Sequence, residues 1–216
     1  MNVTFDRMYK PWLAVHADAI GATAYVYLDP EGWLVATDTH ILAAVPCEIT
    51  DAPEGFAGCL LPPDALKAAA KGMNRAASVV AFQVDLARQT IQFGDTTQLL
   101  PPQSIFPMWR KVIPAVIGPD DEATPPSYMA FNPWLMEKLA LAIGIEKNSL
   151  VCFYANSGQA PAVLTNAGAA IGVLMPGYHT LATAIRNDVH ALTARLSQQR
   201  QPIAPKGKRT AARVAA

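Results

Sequence analysis

Strand-type and helix-type stretches recur along this chain in one order, strand, then helix, then strands, and that order restricts the folds open to it. The first round spans roughly residues 1–50. "NVTF" alternates like a strand. "PWLAVHADA" places Trp12, Val15 and Ala19 at helical spacing, with Pro11 in a first turn where its missing N–H costs nothing. "TAYVYLD", "PEG" and "WLVATDTHILAAVPCEI" follow as strand, turn and strand, with room for one further break. The second round spans roughly 51–105. "DAPEGFAG" is a loop, "CLLP" a short strand, and "PDALKAAAKGMNRA" a helix with Pro63 near its first turn. "SVVAFQVD" and "QTIQFGDTTQLL" follow as alternating strands.

The third round begins after "FPMWRKVIP" and a linker-like "AVIGPDDEATPPS". "YMAF" reads as a strand. In "NPWLMEKLALAIG" a helix is expected, with Asn132 as N-cap, Pro133 at the first helical position and Gly144 as its close. Leu135, Leu139 and Ala142 share one face of it. "SLVCFYA", "PAVLTN" and "AAIGVLMP" then read as strands. The rounds repeat in architecture rather than in sequence. They predict an α+β fold, with helices gathered on one face of antiparallel sheets.

A C-terminal helix over 178–200 completes the expected elements. Leu181, Ile185, Val189, Leu192 and Leu196 make one stripe, which needs a partner surface, its own core or another subunit. Residues 201–216 form a flexible basic tail. From Arg200 onward, Lys206, Lys208, Arg209 and Arg213 face no acid in sequence, so this end can either touch polyanions or simply solubilise the chain.

The remaining composition is restrained. Lys+Arg and Asp+Glu are 17 each, so no global basic field marks a nucleic-acid binder. With 216 residues, 51% of them hydrophobic, the chain buries a core without disulfides. Cys47, Cys59 and Cys152 are too few and too scattered for a disulfide framework or a zinc site, and each lies in an apolar run. A reducing, cytoplasmic setting fits. "MNVTFDRMYK" has no signal-peptide pattern, and no apolar run reaches the ~20 residues a bilayer demands. No membrane partner, metal or cofactor is expected.

Catalytic signatures are missing: no phosphate-cradling glycine loop, dinucleotide fingerprint, metalloprotease helix or nucleophile elbow occurs. One stretch needs a decision. "LVATDTHILAAVP" reads as strand, yet Asp38 and His40 lie two apart and would share a strand face. That spacing permits an acid–base pair, and so a small hydrolase. An Asp bonded to a turn, with a His packed beside it, is the commoner arrangement. "QLL", Gln98 to Leu100, is of the kind that docks in grooves, but it lies in an expected strand and reads as core.

Three stretches in order resemble one family, the bacterial DNA polymerase III beta sliding clamp. "VATDTHILA" is similar to that family's "VATDGHRLA", "FPMWRKVIP" to its "FPDYRRVLP", and "VLMP" to the "VMP" near its C-terminus. "MAFNPWLMEKLALAIG" resembles its "GFNVSYVLDVLNAL" type of segment, and "CLLPPDALKAAAKGM" sits where the clamp has a strand and helix. The resemblance covers roughly residues 15 to 177. It implies repeated strand–helix–strand half-units, with 1–114 a domain of two and 115–177 a partial domain. It also implies a non-enzymatic DNA replication accessory protein, with a homo-oligomer open to it, that tethers or regulates a DNA polymerase or other clamp-binding proteins on duplex DNA. The alternative is an adaptor or inhibitor derived from a clamp that does not encircle DNA.

Carried over residue by residue, the resemblance implies a partner-peptide pocket. Its walls are Thr37, His40 and Leu42, then Pro107, Lys111 and Val112, then Val173, Met175 and Pro176. Apolar walls with a few orienting polar atoms suit a peptide site. Three departures stand out. Thr39 replaces a glycine, Ile41 replaces an arginine, and the chain continues past Pro176 where clamps stop, so the C-terminal helix could cover the pocket. DNA-facing positives would be Lys67, Lys71, Arg75 and Lys138 on the helices, with Lys206, Lys208, Arg209 and Arg213 in the tail. Binding through them would be weak and indifferent to sequence. Solvated helix faces are the competing reading of the first four.

Overall fold

A computed structural model describes residues 1–16, 18–72, 77–113, 131–146, 153–154, 161–166 and 169–175. The first round comprises β1 (Asn2–Asp6), two short 3-10 turns, β2 (Val26–Asp29), β3 (Trp33–Thr37), β4 (Ile41–Pro46) and β5 (Glu48–Thr50). The second comprises β6 (Cys59–Leu61), α1 (Pro63–Gly72), β7 (Val79–Asp85), β8 (Thr90–Phe93) and β9 (Thr96–Leu99). The third comprises α2 (Pro133–Ala142), β10 (Phe153–Tyr154), β11 (Ala162–Asn166) and β12 (Ala170–Leu174). Five strands pair in the order β5-β1-β7-β8-β9, and seven in the order β10-β11-β12-β4-β3-β2-β6. The pairings are antiparallel. Val173 pairs with Leu42, so the larger sheet runs unbroken from the third round into the first.

Burial follows from which faces are covered. In β7, Val80, Phe82 and Val84 are buried while Val79, Ala81 and Gln83 are exposed, the period-two signature of a sheet wet on one side. In β3 and β4 alternation disappears: Leu34 to Ala36 and Ile41 to Val45 are all buried. Leu34, Ala36, Ile41, Ala43 and Val45 join a core shared with β1, β7 and both helices. Val35, Leu42 and Ala44 point the other way, into a second cluster with Leu60, Phe106, Trp109 and Val173. The helices thus cover one face of the larger sheet, and the segment around Phe106–Trp109 covers the opposite face.

Helix α2 is built as its sequence suggests. The Asn132 side chain accepts from the Trp134 N–H at 3.0 Å, Pro133 opens the helix, and Gly144 follows it at φ +76°. Leu139 and Ala142 are fully buried, with Leu135 packed beside them. Helix and sheet approach closely at Gly172 in β12, where a Cβ would stand 3.0 Å from Leu139 Cγ and 3.2 Å from Ile143 Cδ1. In α1, Ala65, Leu66, Ala69 and Ala70 are buried while Lys67 and Lys71 are exposed.

Several expectations are corrected, and four others fall wholly or mostly outside the description. The helix expected over "PWLAVHADA" is replaced by a 3-10 turn at Pro11–Ala14, and a second 3-10 turn at Gly21–Ala24 takes the start of the strand expected over "TAYVYLD". Val15 turns extended, and Asp18 N–H bonds His16 Nδ1 instead of continuing a helix, yet Trp12 and Val15 still pack on the core. "QTIQFGDTTQLL" is a hairpin, because Gly94 adopts φ +52° and Gly-Asp turns the chain between β8 and β9. Leu99 is not core: β9 is an edge strand and Leu99 is 75% exposed, whereas Leu100 is buried. The expected linker, most of "YMAF", the 178–200 helix and the basic tail lie outside the described residues.

Candidate functional site

The β3–β4 connection is a hairpin tip, so Asp38 and His40 lie in a turn and not on a strand face. Asp38 Oδ1 accepts the backbone N–H groups of His40 (3.0 Å) and Ile41 (2.8 Å). Its other oxygen accepts from Lys138 Nζ of α2 at 3.0 Å. Burial alone would raise this carboxyl's pKa, but the Ile41 N–H, the Lys138 ammonium and the His40 N–H outweigh it and hold it below the ordinary value. The His40 ring contacts Thr39 Oγ1 at 3.2 Å. The carboxylate therefore faces backbone and lysine, and it makes no hydrogen bond to the imidazole.

Thr39 sits at φ +73° in this tip. A β-branched residue in the left-handed region is an outlier, so the turn retains a conformation suited to glycine. Surrounding bonds hold it. Thr37 Oγ1 accepts the Thr39 N–H at 3.1 Å and donates to the Ile41 carbonyl at 2.7 Å. Met175 N–H donates to the His40 carbonyl at 2.9 Å, tying the end of β12 to the same tip.

Beside the tip opens an apolar cleft of about 240 Å³, on the sheet face opposite the helices. Thr37, Leu42, Pro107, Val112, Val173 and Met175, all expected there, line it together. His40 and Lys111 do not line it, and Pro176 lies outside the described residues. Thr23, Thr39, Ile41, Phe106, Met108 and Trp109 complete the lining. For most of these a signal existed: Phe106, Met108 and Trp109 adjoin Pro107 in sequence, and Thr39 and Ile41 flank His40. Thr23 had none, since its place depends on the 3-10 turn Gly21–Ala24, where a strand start was expected. Met108, Val112 and Met175 are exposed at this cleft, a wet apolar surface.

One wall is an irregular segment held by side chains that sequence reading passed over. Arg110 forks onto buried Asp29 with two 2.9 Å bonds, and the Trp109 indole N–H donates to the same carboxylate at 3.0 Å. Arg110 also reaches Glu31 at 2.8 Å and lies 4.3 Å from the Trp109 ring centroid. Burial alone would raise the Asp29 pKa, but Arg110, Trp109 and the Glu31 N–H together lower it. Phe106 stacks on Tyr27, centroids 4.9 Å apart and planes 7° off parallel. Nothing local in the sequence pairs Asp29 with Arg110.

Of the expected DNA-facing cations, Lys67 and Lys71 are exposed on α1. Lys138 is turned onto Asp38 and is mostly buried. Arg75, Lys206, Lys208, Arg209 and Arg213 lie outside the described residues. Burial raises the Cys47 thiol, with help from Asp29, and the Cys59 thiol, each to about 12, so both stay protonated hydrophobes. Among the described residues no group of three His, Cys, Asp or Glu side chains is placed to hold a metal, and no helix is long and apolar enough to cross a membrane.

No family model and no curated protein matches this sequence. Solved structures do match in fold, and they are bacterial DNA polymerase III beta sliding clamps. The protein assigned as that subunit in Eubacterium rectale superposes with a TM-score of 0.60 at 11% identity, covering 83% of this chain and 66% of its own. The Bartonella birtlesii clamp bound to griselimycin gives 0.57 at 18%, covering 82% and 66%. The Pseudomonas aeruginosa clamp gives 0.56 at 14%, also covering 82% and 66%. The chain has the sliding-clamp fold and spans slightly under two thirds of the length of these clamps.

Proposed function

We propose that this protein is a reduced, clamp-like accessory factor of DNA replication. It performs no chemistry of its own, works in the cytoplasm, and engages polymerase-side partners through the apolar cleft. The observation that carries this reading is the make-up of the cleft. Three stretches far apart in sequence, the 37–42 tip, the 106–112 segment and the end of β12, meet around one apolar hollow. They are the same stretches that resemble the clamp family. A peptide's apolar side chains would enter there and be desolvated against Leu42, Phe106 and Val173, with the Thr37 and Thr39 hydroxyls at hand for orientation. On this reading residues 1–114 form a clamp-like domain of two half-units and 115–177 a partial clamp-like domain.

The probe is griselimycin, which the Bartonella birtlesii clamp binds. Calorimetric titration of the full chain should give saturable binding. Val112→Arg and Met175→Arg, both at exposed rim positions, should abolish it without unfolding the protein. A wild-type chain that is folded and takes up no griselimycin would remove the cleft from this role.

A second reading, an adaptor or inhibitor that does not encircle DNA, draws on one observation. Lys138 is committed to Asp38, which leaves Lys67 and Lys71 as the exposed lysines of the described helices. Two phosphate contacts give little affinity at physiological salt. Solution mass over a range of concentrations separates the two readings: a closed ring needs several copies, while an adaptor functions as a monomer.

A further inference from the structure

The cleft wall is not part of either sheet. Among the described residues, no backbone hydrogen bond joins residues 101–113 to a strand; the 3-10 turn Trp109–Val112 bonds only within itself, Lys111 N–H to the Met108 carbonyl. Among the described residues, side chains fasten this segment. At its start the Gln103 amide brackets Leu60, accepting its N–H at 2.7 Å and donating to its carbonyl at 3.4 Å. In the middle Phe106 stacks on Tyr27. At the end stands Asp29, which takes three hydrogen bonds from two consecutive residues of the segment. Asp29 does not itself line the cleft; it reaches it through Trp109.

We propose that Asp29 is the positioning residue of the cleft: its buried carboxylate latches Trp109 and Arg110, and so holds the 106–112 wall in the shape that admits a ligand. The proposal rests on the cleft being a binding site, and it adds the group that sets the site's form. The geometry explains why one carboxylate suffices. Trp109 is both a lining residue and a bonded partner, so its indole cannot shift without breaking the 3.0 Å bond. Arg110 gives two parallel bonds, which fix direction as well as distance. Other regular structure cannot replace the latch, because the segment has no ladder to fall back on. Asn at position 29 keeps the size but sets an NH2 group against the Trp109 or Arg110 donors, so at least one bond must break.

The test compares wild type, Asp29→Asn, Arg110→Met and Arg110→Lys as full chains. Three readouts apply: griselimycin affinity, amide exchange across 102–113, and the Trp109 indole proton resonance, which a carboxylate acceptor shifts and protects. Asp29→Asn and Arg110→Met should each weaken binding about tenfold or more and speed exchange in 102–113, leaving β3, β4 and β12 protected. The indole resonance should move and exchange faster in Asp29→Asn. Arg110→Lys keeps the charge but loses the fork, and should fall between wild type and Arg110→Met. Folded Asp29→Asn and Arg110→Met proteins with wild-type affinity and exchange would overturn the proposal. So would exchange rising equally through the whole sheet, since Asp29 would then support the fold and not the wall. Should Asp29→Asn fail to fold, the half-exposed Arg110 variants carry the comparison. Should wild type not bind griselimycin, the function proposed above fails, while exchange and the indole resonance still decide the latch.

Discussion

Lys138 and Asp38 are 100 residues apart, and their side chains meet at 3.0 Å, joining helix α2 to the β3–β4 tip that borders the cleft. The pair assigns both residues structural work. The acid that could have served a histidine in catalysis instead holds a turn, and a cation that could have faced DNA instead holds the acid.

Asp38→Asn should cost about 1.5–3 kcal/mol of stability at neutral pH, the usual worth of hydrogen bonds to a charged group. The pKa of Asp38 is lower folded than unfolded, so its contribution is complete above the ordinary carboxyl value of 3.8 and is lost as pH falls below it toward the folded value. Urea unfolding of both proteins at pH 7 and at about pH 3 checks this: the gap between them should shrink in acid. A gap unchanged by acid would mean the charge is not what stabilises the turn.

Thr39→Gly should stabilise the protein by about 0.5–1 kcal/mol. Relief of a left-handed β-branched residue is worth about 1–3 kcal/mol, and the extra chain freedom of glycine and the lost contact with His40 return part of it. The denaturation midpoint should rise at constant m-value. A lower midpoint would show that the hydroxyl contacts outweigh the backbone strain.

Gly172→Ala should destabilise by about 1–3 kcal/mol through overpacking, since the new methyl meets Leu139 of α2 and Ile143, which caps it, at 3.0–3.2 Å. The cleft lies on the opposite face, where the neighbouring Val173 points, so ligand affinity in the folded variant should stay within twofold of wild type. Thermal melts and a griselimycin titration of the same sample separate the two effects.

Duplex DNA binding should be weak, indifferent to sequence and steeply salt-dependent, with a log–log slope of about −0.9 per phosphate contact. Cutting the chain after Gln199 removes Arg200, Lys206, Lys208, Arg209 and Arg213 and should lower affinity several-fold. Lys67→Ala with Lys71→Ala should change it less. If the truncated chain binds as tightly as the full one at low salt, α1 becomes the contact surface and the tail does not.

Local signals carried most of the fold. The Asn132 cap, Pro133 and Gly144 act within a few residues of α2, so its limits could be read directly. Alternation marked β7 because that strand has one wet face, and the second round appears in its expected order, β6, α1, then β7 to β9. Six cleft residues were reachable because short stretches of chain resembled a known wall. What the sequence did not disclose depends on distance and on covering layers. Ile41 to Val45 is apolar on both faces because helices bury one and the Phe106–Trp109 segment buries the other, and no window of residues reveals a second layer. Leu99 looks as apolar as Leu100, yet an edge strand leaves it in water. Asp29 meets Arg110 across 81 residues, and Asp38 meets Lys138 across 100. Sequence spacing encodes which residues share a helix or strand face, because that follows from a fixed rise and turn per residue. Which charges become neighbours is decided only when separate elements close around a common core.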